Sequence, residues 1–280
     1  MTLARAAQHT VAGWPEAVET YFERGWTDGL PVVPATGDDV VRFLHAASLA
    51  PDAVVLHEPV RKRTITAEKL AINAVLAGCR PEYMPVLVAA LDAMSAPEFT
   101  LHGSITSTGG SATLLVVNGP IRRELTLNGG PNVFGPGWRA NATIGRAIRL
   151  VTLNCLGASP GVLDKSTQGH PGKYTYCIAE NEEESPWEPL HVEKGFTRDA
   201  STVTVFAAES PHNALTHYGL TADAVIVTLA DTMASLGSFS AGQSFVVLAT
   251  EHVAILARDG WTKPRIKEAL YAQADRKSVV

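Results

Sequence analysis

Four short stretches of this chain carry the residue types that could do chemistry. The first is Ser166-Thr167-Gln168-Gly169-His170-Pro171-Gly172-Lys173-Tyr174, which holds His170 and Lys173 on a loop stiffened by glycine and proline. Histidine titrates near neutrality and is the natural general base. Lysine neutralises an anion or, once desolvated, takes a proton. The second stretch runs from Asn128-Gly129-Gly130-Pro131 to Trp138-Arg139-Ala140-Asn141. If the residues after Asn141 are helical, Arg139 and Asn141 stand at a helix N-terminus, where free N–H groups and a guanidinium fork suit a carboxylate or phosphate. The opposing reading is an arginine that satisfies loop carbonyls.

The third stretch is Gly103-Ser104-Ile105-Thr106-Ser107-Thr108-Gly109-Gly110-Ser111. Successive N–H groups in such a turn make a nest for an anion, with Ser104, Thr106 and Ser107 as its polar wall. The opposing reading is a tight turn whose hydroxyls are satisfied locally. Gly237–Ser244, with Ser238 and Ser240, resembles it in composition. The fourth is Ala77-Gly78-Cys79-Arg80-Pro81, where Cys79 precedes a helix expected to start at Pro81. A helix N-terminus lowers a thiol's pKa and favours a nucleophilic thiolate. Equally, a single cysteine at a helix junction is often a small buried hydrophobe.

Other chemistries find no footing. There is no Cys-x-x-Cys and no His-Glu-x-x-His, and His212 and His217 are five apart, so neither a metal nor a cofactor is expected. The Gly-Lys-Ser/Thr ending of a phosphate loop and the Gly-x-Gly-x-x-Gly turn are missing, which ranks nucleotide binding last. The Gly-x-Ser-x-Gly elbow is also missing. Within the acidic run 180–184, Glu180 is the one candidate for a site; the rest reads as a solvated face.

The elements that would position these residues read as follows. Trp14 to Arg24 is helical, with Pro15 in its first turn. Asp38 or Asp39 caps a second helix through Ala47. Ala53–Leu56 is a strand. Thr66 starts a helix that ends at Gly78, and Glu82 to Met94 is another. Ala112–Val117 is a buried strand, and Ala140 to Val151 leans helical. Gly157 to Pro189 is a long loop, a length that in compact domains points to function or disorder. Thr202–Phe206 is a strand, Val225 to Met233 a helix, Phe245–Ala249 a strand and Pro264 to Ala274 the last helix. The class is α/β, with mixed sheets flanked by helices. Residues 1–62 form a helical and extended arm, and 63–280 the core. The two Gly/Ser stretches each follow a helix and precede an apolar run, which divides the core into pseudo-symmetric halves, 63–155 and 200–280, joined by a functional loop 156–199; chance similarity is the competing reading.

Composition bounds the partners. The chain has 280 residues, 46% hydrophobic and 18% charged, which excludes disorder for its bulk. A net charge of -5 leaves no basic stripe for nucleic acid. No apolar run reaches the roughly 18 residues of a membrane helix, and no apolar leader precedes Gly13. Three scattered cysteines point to a reducing, cytoplasmic setting. A homo-oligomer stays open.

Several segments together resemble one bacterial family, largely uncharacterised. They are Trp26-Thr27-Asp28-Gly29-Leu30-Pro31-Val32-Val33-Pro34, Ala77–Pro85, Gly145-Arg146-Ala147, Gly169–Lys173, Trp187-Glu188-Pro189-Leu190-His191 and Arg258-Asp259-Gly260-Trp261-Thr262-Lys263. The resemblance spans nearly the whole chain. It implies a partner: family members resemble companions of small proteins with a Cys-Gly-Ser-Cys or selenocysteine-Gly-Ser-Cys motif, which this chain lacks. It implies no reaction and no catalytic residue. The leading expectation is therefore an enzyme of lyase or hydrolase type acting on a small anionic metabolite. Arg139, Asn141 and the Gly/Ser turns would bind, His170 or Lys173 would move a proton, and Cys79 or a partner's thiol would attack. The alternative is a non-catalytic scaffold subunit for the Cys-Gly-Ser-Cys protein, anchored through Trp26, Trp138, Trp187 and Trp261.

Overall fold

A computed structural model describes residues 6–217, 220–236 and 242–275. The chain is α/β with two small sheets, one of them mixed. It divides into two compact units, Met1–Glu180 with Leu190–Ser210, and Asn181–Pro189 with Pro211–Val280.

In the first unit, local signals set most element ends. Helix α1 (Trp14–Glu23) carries Pro15 in its first turn. Helix α2 (Gly37–Ala46) is capped by Thr36, not by Asp38 or Asp39. Thr36 accepts from the Asp39 backbone, and the Asp39 carboxylate reaches back to the Thr36 N–H, so the acidic residue closes a capping box from the third position. Strands β1 (Val54–Glu58) and β2 (Arg63–Thr66) pair as an antiparallel hairpin, and residue 62 lies inside it. The sequence reading missed β2. Thr66 then caps α3 (Ala67–Ala77), which ends on Gly78 in the left-handed conformation. A 3-10 turn, Pro81–Tyr83, leads into α4 (Met84–Met94).

The Gly/Ser stretch at 103–111 is not a turn throughout. Leu101–Thr106 is helix α5, started by Thr100 in the left-handed region. One of its hydroxyls serves the helix: Thr106 donates back to the His102 carbonyl. After α5 comes β3 (Ala112–Asn118), then α6 (Ile121–Glu124) and the long α7 (Arg139–Leu156). The expected 157–189 loop contains a 3-10 turn at Pro171–Lys173 and strand β4 (Cys177–Ala179). Helix α8 (Leu190–Glu193) and strand β5 (Thr202–Ala208) complete the unit. The sheet order is β4-β3-β5, parallel on one side and antiparallel on the other. Alternation places Leu115 and Val117 of β3 in the main core with α3, α4 and α7. Leu114 and Val116 pack with Tyr176 and Ile178 on the opposite face.

The second unit is helical, with α9 (Ala222–Ala234), α10 (Thr250–Arg258) and α11 (Lys263–Asp275) around Val225, Ile226, Leu256 and Trp261. The strand expected at Phe245–Ala249 is not formed; those residues carry no regular secondary structure, and α10, which the sequence reading missed, follows. The apolar run that suggested a strand is only partly buried. Val246 and Leu248 pack on the unit's core while Phe245 and Val247 are exposed. The expected helix, turn and strand repeat thus has its strand only in the first copy. Most of its second turn, including Ser238 and Ser240, lies outside the described residues. No single helix among the described residues is long and apolar enough to cross a membrane.

Helix α7 is the column on which the first unit's loops are hung. Arg146 forms a two-bond ion pair with Asp28, at 2.8 Å for each bond, and also donates to the carbonyls of Leu30 and Pro31. This fixes the extended Trp26–Pro34 segment, which Val33 ties to α3 through the Leu76 carbonyl. Gly145 lets the chain come close: a Cβ there would lie 2.5 Å from the Thr175 hydroxyl and from the Tyr176 nitrogen. Gly145→Ala is therefore expected to cost about 1–3 kcal/mol in urea unfolding. Gly103→Ala, which would meet nothing within 4 Å, is expected to be near neutral. Equal midpoints for the two variants would refute this packing.

Candidate functional site

Three arginines border a cleft between α2, the end of α3 and the start of α7. Its volume is about 250 Å³. Arg42, Arg80 and Arg139 line it together with one carboxylate, Asp39, and with Val33, Phe43 and Cys79. Each cation has a different standing. Arg139, the first residue of α7, donates through Nε and Nη2 to the Gly78 carbonyl at 3.0 and 2.8 Å, and Nη2 also reaches the Cys79 carbonyl at 3.4 Å. It thereby serves acceptors at the C-terminal end of α3. Its Nη1 has no partner among the described residues. Arg42 pairs with Asp39. Arg80 is exposed; its carbonyl accepts from the Tyr83 N–H, and its side chain takes part in no ion pair or hydrogen bond among the described residues. The hydrogen bond from the Thr36 hydroxyl, with Arg42 helping, holds the Asp39 carboxyl below its ordinary value.

Arg139 thus satisfies loop carbonyls, as one sequence reading expected, and also lines the cleft. Cys79 lines the same cleft but lacks a nucleophile's state. It is buried, its thiol donates to the Thr143 carbonyl at 3.2 Å, and burial pushes its pKa up to about 12. At neutral pH the thiol form is therefore favoured, the opposite of the shift a helix N-terminus was expected to give. Burial likewise raises Cys177 to about 12 and Cys155 to about 11.

His170 and Lys173 do not line this cleft. Lys173 lines a separate pocket with Ser104, Ser111, Arg149 and Asp164. Its ammonium donates to the Ser166 hydroxyl at 2.8 Å and to the Ser111 carbonyl at 3.2 Å, and pairs with Asp164 at 3.0 Å. Arg149 reaches the same carboxylate at 3.3 Å. Burial works to raise the Asp164 pKa, but the bonds from Ser166 and Lys173 outweigh it and hold the carboxyl below its ordinary value. The free volume is about 30 Å³. A water needs at least roughly 10–15 Å³ on such a scale, so the pocket admits one or two waters and no metabolite. Ser104 shares its hydroxyl with Ser111 at 3.2 Å. The expected convergence of the Gly/Ser stretch with the 166–173 loop therefore occurs, but as a filled polar network.

The remaining candidates are fasteners. Asn141 is buried; its oxygen accepts from the Asn128 N–H, and its amide donates to the Asn128 and Cys177 carbonyls. Ser107 accepts from the Gly109 N–H. Glu180 accepts from Asn118 and from the Leu190 N–H, pinning the end of β4. Trp187 donates to the Trp261 carbonyl, and Trp261 is buried beneath Arg265, so these two belong to the second unit's core. The sequence reading passed over Arg42, Arg80, Asp39, Arg149 and Asp164. Arg80 alone had a local signal, its place beside Cys79 in a segment already singled out. No group of three or more His, Cys, Asp or Glu side chains suited to a metal occurs among the described residues. Compared with family models, curated proteins and solved structures, the chain finds no match.

His170 gives the 166–176 loop a pH dependence. Its Nδ1 accepts from the Gly172 N–H at 3.1 Å, its Nε2 is sealed from solvent near the Ala208 backbone, and Tyr176 meets its ring edge-on at 5.7 Å. Burial, aided by the Lys173 charge and opposed by Ala208 and Glu209, lowers its pKa from the ordinary 6.5. The unfolded ring takes up its proton first, so this contribution is present above about pH 6.5 and is lost as pH falls below it. The carboxyl of Asp164 acts only below its ordinary 3.8. His170→Asn keeps a cap acceptor without titrating. Its unfolding free energy is expected to fall less between pH 7 and pH 5 than that of the unaltered chain; equal slopes would contradict the assignment.

Proposed function

We propose that this chain binds a small anionic metabolite in the Arg42, Arg80 and Arg139 cleft and takes part in its turnover as one subunit of a lyase- or hydrolase-type enzyme. The observation that carries the reading is charge: three guanidiniums and one carboxylate border a single cleft in a chain of net charge -5. Guanidinium forks hold carboxylate and phosphate oxygens bidentately. The volume, about 250 Å³, is below the roughly 300–1,000 Å³ of drug-sized pockets and suits a compact ligand.

The chain's own bond-breaking groups do not meet there. Cys79 stays a thiol, and His170 and Lys173 are committed to another network. This favours the arrangement the family resemblance implies, in which a Cys-Gly-Ser-Cys partner brings the reactive thiol to an anion held by this subunit. Binding is the step to test first. Calorimetry with a panel of small carboxylates and inorganic phosphate at low salt is expected to show saturable binding. Arg80→Ala, which removes an exposed side chain with no internal partner, is expected to weaken it about tenfold or more while leaving stability unchanged. The absence of binding by every anion in the panel would overturn the reading.

A further inference from the structure

The charges around the cleft are unequal in what they leave available, and this bears on the kind of anion. Arg42 is matched by Asp39, whose depressed pKa keeps it ionised near neutral pH. Arg80 is unmatched, and Arg139 spends Nε and Nη2 on neutral carbonyls, which satisfies its donors without cancelling its charge. Two positive charges are therefore uncompensated among the residues that line the cleft. We infer that the cleft selects a compact dianion, two negative charges on one small molecule such as a short dicarboxylate or a phosphate, over monoanions and trianions. This rests on the anion-binding reading above and adds the ligand's charge class to it.

The argument is one of local neutrality. Arg80 and Arg139 are both exposed, and a monoanion would engage only one unit of their combined charge. A dianion balances both Arg80 and Arg139, and the N-terminal end of α7 at Arg139 adds further partial positive charge. A third negative charge would find no unpaired cation in the cleft, because Arg42 is already paired with Asp39. The volume, about 250 Å³, keeps the two charges close together. Apolar lining from Val33 and Phe43 argues for a ligand with a small hydrocarbon body, which would favour the dicarboxylate over inorganic phosphate.

Calorimetric titration of the full chain at pH 7.5 and low salt, with acetate, malonate, inorganic phosphate and tricarballylate, tests this directly. Malonate or phosphate is expected to bind at least about tenfold more tightly than acetate and than tricarballylate. The ratio of malonate to phosphate tells which dianion source fits. Asp39→Asn retains an acceptor for the α2 cap and removes the charge. In that variant tricarballylate is expected to gain about tenfold while acetate changes little. Equal affinities for acetate and malonate would overturn the charge-class inference and leave the anion-binding reading standing. No heat from any of the four would remove both.

Discussion

The first unit depends on the arginines of α7. Arg139, Arg146 and Arg149 project from one 18-residue helix, and each holds a different segment. Arg139 takes the carbonyls at the end of α3, Arg146 takes Asp28 and the extended segment after it, and Arg149 takes Asp164. Seven residues separate the first two, so they share a helix face. The Asp28–Arg146 pair is the most enclosed of these contacts, with the carboxylate side chain only 3% exposed. A buried pair of this kind adds little over apolar packing, but removal of one partner costs about 3–5 kcal/mol. It acts as a latch whose value lies in placing Val33 at the cleft.

Two polar centres emerge from the same helix, and their difference is instructive. Around Asp164 the cations are answered: Lys173, Arg149 and Ser166 converge on the carboxylate, and the space left is water-sized. Around Gly78 and Cys79 the cations outnumber the carboxylate and the space is larger. A satisfied network rigidifies, whereas an unbalanced one attracts a counter-charge. That contrast sets the satisfied network around Lys173 apart from the arginine cleft, where the anion-binding proposal rests.

Much of the fold was legible because local signals and packing agree in it. Thr66 and Gly78 bound α3, Pro15 starts α1, and the unbroken apolar run of β3 reads as a strand buried on both faces. Legibility failed where a pattern had two physical solutions. The apolar run at Phe245–Ala249 is met by packing on helices, and in the hydroxyl-rich 103–106 segment, which is helical, Thr106 bonds backward along the chain. The site was half legible. Arg139 and Cys79 were named from neighbouring residues, but their meeting with Arg42 depends on α2, more than thirty residues earlier in the chain, and no local spacing encodes it. The sign of the Cys79 shift was missed for a similar reason, since burial is a tertiary property.

A double-mutant cycle on Asp28→Asn and Arg146→Gln, read by urea unfolding, tests most directly whether this latch organises the unit. The account predicts that each single variant is strongly destabilised and that the two changes are coupled by about 1.5 kcal/mol or more. Effects that add to within about 0.5 kcal/mol would mean the segment is held by something else, and the account of α7 as the organising column would be wrong.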